Sequence, residues 1–381
     1  MRRTVYLDYN ATQPVKPEVR EIMLRLLVEP ANASSVHTPG QAARRIVEHA
    51  RSEVAALIGA KPGEIVFTAG ATEANAAALR GVRIGKTLVS AVEHPSVAQA
   101  VADAEPVTVD GDGVLDLAAL ERRLSGTAPA LVSIMLVNNE TGVIQPVREA
   151  AKIAHAQGCL IHTDASQAPG RIAIDVEALD VDLLTLSAHK IGGPQGAGAL
   201  YLREGLAFEP LLTGGGQELR RRAGTENVAA IAGFGVAARL ALDDLTRTAL
   251  LAELRDRMER DLLAVAPTLE IHGRRRPRVS NTSCFGAPGL SAETALIALD
   301  IAGVAVSSGA ACSSGAVEPS RVLRAMNVPE AAAREAIRVS LGWATTEEDI
   351  DDLVENWAIV YRRATSARGR IDFAPIEESG F

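Results

Sequence analysis

Four stretches of the chain carry side chains whose types and spacing could do chemistry together. The first is Leu186-Ser187-Ala188-His189-Lys190, followed by Gly192, Gly193, Gly196 and Gly198. A lysine just past a buried strand and before a glycine-rich loop can form a Schiff base with an aldehyde, if its surroundings favour the neutral amine. Taken alone, it is as readily a surface lysine in a turn. The second is His162-Thr163-Asp164-Ala165, and 190 − 164 = 26 residues separate Asp164 from Lys190. A carboxylate ending one strand and a lysine after the next project into the same crevice. There the carboxylate can keep a pyridine nitrogen protonated, which pyridoxal phosphate (PLP) needs in order to accept electrons from a substrate carbanion. As an isolated residue, Asp164 reads as a helix N-cap.

The third stretch, Gly70-Ala71-Thr72-Glu73-Ala74-Asn75, directly follows an apolar run ending at Phe67. Glycine then threonine at a helix start offers backbone N–H groups and a hydroxyl to a phosphate. By itself it reads as a Thr-capped helix. Gly214-Gly215-Gly216 and Gly224-Thr225-Glu226-Asn227 make another glycine-rich, hydroxyl-bearing stretch. The fourth runs from Ser307 to Gly315 and consists of small residues around Cys312. Such a run does not suit a packed strand or a stable helix, and it reads as a mobile loop. Cys159 and Cys284 lie in apolar strand contexts and read as inert core residues. Cys312 is therefore the nucleophile candidate. A free thiol has a pKa of about 8.5, so a neighbouring group must raise its thiolate fraction.

These residues need a scaffold, and the first half of the sequence describes one. Strands are expected at Glu64–Phe67, Thr87–Val89, Ala130–Val137, Cys159–Thr163 and Asp182–Leu186. Helices are expected over Ala71–Arg80, from Pro95, and over Val147–Gln157. This alternation predicts an α/β fold with a mostly parallel sheet covered by helices. After about Leu240 the rhythm changes. A long helix is expected over Leu242–Ala264, then strands at Arg278–Cys284, Val304–Ser307 and Ala336–Leu341, and a last helix over Glu347–Arg363. The division expected is a large domain over 15–245 and a smaller α+β domain made of 1–14 and 246–381. Residues 368–381 read as a weakly ordered tail.

Composition narrows the class. At 381 residues, two domains are the natural expectation. Aromatics are 3% within a hydrophobic fraction of 47%, which suits aliphatic parallel strands. The net charge of −8 argues against nucleic-acid binding, and Arg274-Arg275-Arg276 beside Pro277 reads as a solvated turn. Three widely spaced cysteines without a CxxC pair suggest neither a metal site nor a disulfide framework. Without a membrane-length apolar run or an N-terminal apolar segment, the expected location is the cytoplasm, with thiols reduced.

Together the motifs resemble the aminotransferase class V family, and within it the cysteine desulfurases of the nitrogen-fixation and iron–sulfur-assembly type. The matching stretches are Tyr6 to Thr12, Gly70 to Glu73, Glu93-His94-Pro95, Val137 to Gly142, His162 to Gln167, Ser187 to Lys190, Arg222 to Thr225 and Ser307 to Ser320. They run in order along almost the whole chain. The resemblance implies the PLP-dependent transferase fold of the aspartate aminotransferase-like type (fold type I). It implies that Lys190 is the Schiff-base lysine, Asp164 the partner of the pyridine nitrogen, and His94 a catalytic histidine stacked on the cofactor ring. Gln167 and Asn139 lie near the ring oxygen and the substrate. Ala71, Thr72, Ser187 and His189 form the phosphate cup. Thr225 reaches the phosphate of the other subunit, so a homodimer is implied. Arg338 holds the substrate carboxylate, a role suited to a guanidinium, with Asn32 on the substrate side. Cys312 accepts sulfur from L-cysteine, leaving L-alanine, and passes it to a sulfur acceptor or an iron–sulfur scaffold protein.

The sequence departs from the family pattern in places. Ala33 follows Asn32 where proline is frequent, Gln13 follows Thr12 where a second threonine is frequent, and Trp343 stands where a charged residue is frequent. None removes a group that the chemistry needs. The rival readings are a selenocysteine lyase or an aminotransferase on the same fold, and a non-catalytic sulfur-relay protein with a degenerate site. A cysteine within a small-residue loop argues against transamination, and the set Lys190, Asp164, His94 and Arg338 argues against a degenerate site.

Overall fold

The structure is a computed structural model. It describes residues 3–371 apart from 31, 83, 127–128, 309–311, 314–315 and 318, and gives the backbone alone for 312–313, 316–317 and 367–371. The chain opens with a short strand, β1 (Val5–Tyr6). Seven strands then build the main sheet: β2 (Ile65–Thr68), β3 (Lys86–Ser90), β4 (Glu105–Val107), β5 (Ala130–Ser133), β6 (Leu160–Asp164), β7 (Leu183–Ser187) and β8 (Gly198–Leu202). Their order is β2-β8-β7-β6-β5-β3-β4. All pairs are parallel except those of β8, which runs antiparallel to both β7 and β2. Aliphatic residues buried on the faces of these strands, such as Leu88, Val132, Ile161 and Leu184, form one core with Phe67 and Phe234. Runs of this kind follow when helices cover both faces of a parallel sheet.

A second sheet is antiparallel throughout. The strands β9 (Glu270–Ile271), β10 (Thr282–Gly286), β12 (Ser307–Ser308) and β15 (Ile337–Ser340) lie in the order β12-β15-β10-β9. Between them in sequence, β11 (Val304–Ala305) pairs in parallel with β1. A separate core gathers Val5 and Leu7 with Met258, Phe285, Val339 and Trp357. The backbone of β13 (Cys312–Ser313) pairs antiparallel with β14 (Ala316–Val317). The sequence reading of a mobile loop here does not anticipate this pairing of two short strands.

Other expectations shift in detail. The strand expected over Ala130–Val137 ends at Ser133. Its continuation stays beside β6, because the amides of Ile134 and Leu136 donate to the carbonyls of His162 and Asp164 at 3.0 and 2.9 Å. The single helix expected over Leu242–Ala264 is two, Val228–Asp244 and Thr248–Val265, separated by the turn Leu245–Arg247. Thr246 and Thr248 hydroxyls donate to the carbonyls of Asp243 and Leu245 at 2.7 and 2.9 Å, a local competition that interrupts helices. The strand expected over Arg278–Cys284 sits at Thr282–Gly286, and Val304–Ser307 divides between two strands. The last helix, Glu347–Ile371, continues past Arg363 into the expected tail, whose residues 372–381 lie outside the described residues. Arg275 and Arg276 stand in an exposed turn paired with Asp112 and Asp110. Among the described residues, no helix is long and apolar enough to cross a membrane.

Candidate active site

The C-terminal ends of β6 and β7 open into a cavity of about 820 Å³. Asp164 is the last residue of β6 and is buried. Its Oδ1 accepts from the Ser166 amide at 2.9 Å and the Ser166 hydroxyl at 2.6 Å. Its Oδ2 accepts from Asn75 Nδ2 at 2.8 Å. The carboxylate is thus held in place on the cavity wall by three donors, none of which is a cation.

Lys190 follows β7 in the tight turn Ala188–Ile191. Gly192 closes this turn with φ of 76°, and a Cβ there would come within 2.7 Å of Lys16 Cγ, so glycine is required. Lys190 Nζ donates to the carbonyls of Asn10 and Ala11 at 2.6 and 2.9 Å. Burial lowers its ammonium from the usual range to about 8, with Arg338 and Arg171 adding to the effect and Asp164 and Asp8 opposing it. An amine tuned this way has a far larger neutral fraction near physiological pH than an ordinary lysine, as covalent catalysis by lysine requires.

At another wall the helix Ala71–Gly81 begins immediately after Gly70, so Ala71 and Thr72 present first-turn amides to the cavity. Close packing shapes this corner: a Cβ on Gly198 would lie 2.6 Å from the Gly70 carbonyl carbon. Ser187 Oγ is buried here and has no hydrogen-bond partner among the described residues. His189 stands next to it, with Nδ1 at 3.1 Å from Thr12 Oγ1. Burial and the neighbouring Lys190 lower the His189 imidazole to about 4, so it is neutral. Exposed first-turn amides, an unsatisfied hydroxyl and a neutral ring form a donor set suited to an anion.

His94 borders the cavity at the start of the helix Pro95–Ala98. Its Nδ1 accepts from the Ser96 amide at 3.1 Å, which places the ring proton on Nε2. Desolvation lowers this imidazole and Lys190 lowers it further, against Asp164, so it too is neutral. Arg338, on β15, brings the second sheet to the cavity. It donates to Asp8 Oδ1 at 2.7 Å and to the Asn139 carbonyl at 3.0 Å. Its Nε is buried without a partner among the described residues.

Of the residues singled out from sequence, Ala71, Thr72, His94, Asn139, Asp164, Gln167, Ser187, His189, Lys190 and Arg338 all line this one cavity. Asn32 and Thr225 do not, and both are exposed. Thr225 belongs to a loop docked near the cavity, since Arg222 pairs with Glu73 at 2.8 Å. The Cys312 side chain lies outside the described residues. Ser307 before it and Ser320 after it are described, one tied to a residue of the cavity wall and the other to a neighbour of that wall. Ser307 pairs with Arg338 across the sheet, and Ser320 donates to Glu140, the neighbour of Asn139, at 2.5 Å. Cys159 and Cys284 are buried in the cores, as expected. Burial pushes the Cys284 thiol up, away from reactivity.

Sequence reasoning gave no role to Asn75, Glu93 or Arg171. Asn75 is fully buried within an alanine-rich helix, and an isolated amide at such a position was the signal. Glu93 is buried with Oε1 accepting from the Met135 amide at 2.6 Å. Burial raises its carboxyl well above the usual range, and Asp164 adds to the effect. Among the described residues, no cluster of acidic, histidine and cysteine side chains could hold a metal ion.

Comparison with known proteins shows the family. A family model for aminotransferase class-V matches residues 5–353. A cysteine desulfurase of Cereibacter sphaeroides is 45% identical over 366 residues, covering 92% of this chain and 94% of that protein. The cysteine desulfurase IscS of Dictyoglomus turgidum is 43% identical, covering 92% and 93%. Among solved structures, the NifS-like protein of Rickettsia africae superposes with a TM-score of 0.89 at 34% identity, covering 94% of this chain and 100% of that one.

Proposed function

The chain belongs to the aminotransferase class-V family and to its cysteine desulfurases, and on that premise we propose that it uses PLP to move the sulfur of L-cysteine onto Cys312. Its fold is the aspartate aminotransferase-like fold of type I. The observation that carries the reading is the convergence of Lys190, Asp164, Arg338 and an unsatisfied anion-binding corner on one cavity. Those residues fit PLP. Lys190 would hold its aldehyde carbon, Asp164 a proton at its pyridine nitrogen, and Ala71, Thr72, Ser187 and His189 its phosphate, with Gln167 at the ring oxygen. Bound there, the cofactor supplies an electron sink for carbanion chemistry at the substrate Cα.

The protein's own groups do the rest. Arg338 binds the carboxylate of cysteine, with Asn139 and Asn32 on the substrate side. His94, neutral with a proton on Nε2, can exchange protons beside the ring. The Cys312 thiolate attacks the substrate sulfur, so the carbon–sulfur bond breaks and a sulfur–sulfur bond forms. Cysteine and the enzyme thiol become alanine and an enzyme persulfide, and atoms balance. Ser307 and Ser320, before and after Cys312 in the chain, are anchored at Arg338 and Glu140, which supports this assignment.

Thr225, exposed on a loop beside the cavity, reaches the phosphate of a second subunit, so the working form is a homodimer. It works in the cytoplasm and delivers sulfur to an acceptor or scaffold protein for iron–sulfur assembly or thiolation. The deciding experiment incubates PLP-loaded protein with L-cysteine and a thiol reductant and measures alanine and sulfide. Equal production of the two is expected. Pyruvate or transaminated product in place of alanine would contradict the reading.

A further inference from the structure

Arg171, in the turns that follow β6, is a buried arginine without a counter-charge. It is 6% exposed, and Nη2 has no hydrogen-bond partner among the described residues. Burial and the positive charge of Arg338 lower it to about 9, and no carboxylate offsets them. An unpaired buried guanidinium is costly, so its presence calls for a compensating task.

Its Nη1 donates to the Gln167 carbonyl at 2.9 Å and to Gln167 Oε1. A guanidinium carries donors only, so the amide atom that faces it must be oxygen. The Gln167 nitrogen therefore faces the other way. Nε2 donates to the Asn10 carbonyl at 2.9 Å, the same oxygen that accepts from Lys190 Nζ at 2.6 Å. Gln167 lines the cavity, and one of its two amide hydrogens remains for a ligand.

We propose that Arg171 is a positioning residue, which locks the Gln167 amide with its NH2 group toward the Lys190 end of the cavity so that a cofactor ring oxygen meets a donor. This rests on the reading of the cavity as a PLP site. Without Arg171 the amide is free to rotate and present its oxygen, an acceptor facing an acceptor. A donor at the ring oxygen favours its anionic form and disfavours a proton shared with the lysine nitrogen. The charged groups around Lys190 are Arg338, Arg171, Asp164 and Asp8. Around Arg171 are Arg338 and, sharing a small cavity of about 30 Å³, Asp244 and Arg247, with Asp244 taken by Lys16 at 2.5 Å. Removing Arg171 thus removes a positive charge as well as the lock, and both changes favour the protonated lysine–cofactor link.

The test is the pH midpoint of the visible band of the holoenzyme. Arg171→Met is expected to raise it by about one pH unit. Arg171→Lys, still a cation able to donate to Oε1, is expected to stay close to wild type. Gln167→Leu, which keeps Arg171, is expected to raise the midpoint as well. A folded, cofactor-bound Arg171→Met with the wild-type midpoint overturns the proposal, and so does an unmoved midpoint in Gln167→Leu. If Arg171→Met does not fold, Arg171→Ala is read in its place, with the same expected rise and the same overturning result. A wild-type protein that shows no visible band and fixes no PLP on Lys190 after borohydride reduction refutes the PLP reading itself, a result distinct from these.

Discussion

The Ser320 hydroxyl donates to the buried Glu140 carboxyl at 2.5 Å, fastening the chain just past the Cys312 hairpin to the loop that carries Asn139. Burial pushes Glu140 up from 4.5 to about 7, against the Ser320 hydrogen bond and the charges of Arg338 and Arg321. The folded state therefore binds this proton more tightly than the unfolded chain does. The stability it contributes is full below pH 4.5 and is lost as pH rises through about 7. Glu140→Gln keeps an acceptor for Ser320 and never ionises. The variant should gain on wild type across that window, by on the order of 3 kcal/mol at its end. Denaturant melts at several pH values measure this, and a constant difference between the two proteins would show that Glu140 does not titrate there.

Lys190 gives a second pH dependence. Its amine is lowered from 10.5 to about 8, so the neutral form rises with pH and predominates above that value. The rate at which the apoprotein takes up PLP should climb to about pH 8 and then level off. A rate still rising toward pH 10 would place the amine near its ordinary value. In Lys190→Ala no visible band should form, and borohydride should fix no cofactor to the chain.

Arg338 tests substrate recognition. Arg338→Lys keeps the charge but loses the planar fork that spans Asp8, Asn139 and a carboxylate. The KM for cysteine should rise about 10- to 100-fold, while the cofactor band survives. An unchanged KM would move carboxylate binding elsewhere.

Cys312 tests the sulfur transfer itself. Cys312→Ser should still bind PLP and respond spectrally to cysteine, yet form neither alanine nor persulfide, because a serine hydroxyl is a poor nucleophile toward sulfur. Mass spectrometry after brief exposure of wild type to cysteine should find one added sulfur on the Cys312 peptide. Cys284→Ala should cost stability instead, about 1 kcal/mol or more, since the thiol is fully buried. Added sulfur on Cys159 or Cys284 would favour a lyase.

Much of the site was legible because its key groups end a strand or closely follow one. Asp164 and Lys190 stand out in sequence as polar residues ending aliphatic runs, and parallel neighbours deliver such residues to the same edge. What escaped notice lacked that contrast. The strand Gly198–Leu202 runs antiparallel inside a parallel sheet and follows a glycine-rich loop that reads as its continuation. The helix Val228–Asp244 is apolar on nearly every side, so it shows no amphipathic period. Arg171 reads locally as a surface arginine, because its burial comes from residues distant in sequence. The roles proposed for Asn32 and Thr225 need a substrate or a second subunit, neither of which a single chain's periodicity expresses.

The pairing of Val5 with Val304 spans 304 − 5 = 299 residues, and it sets an order of events during synthesis. Val5 is made well before that partner appears. Until then Val5 and Leu7, both destined for the core, remain exposed to misplaced contacts. Asn10, Ala11 and Thr12, which close the cavity over Lys190, are positioned by the same late pairing. The cavity that these residues line is consequently complete only after that pairing has formed.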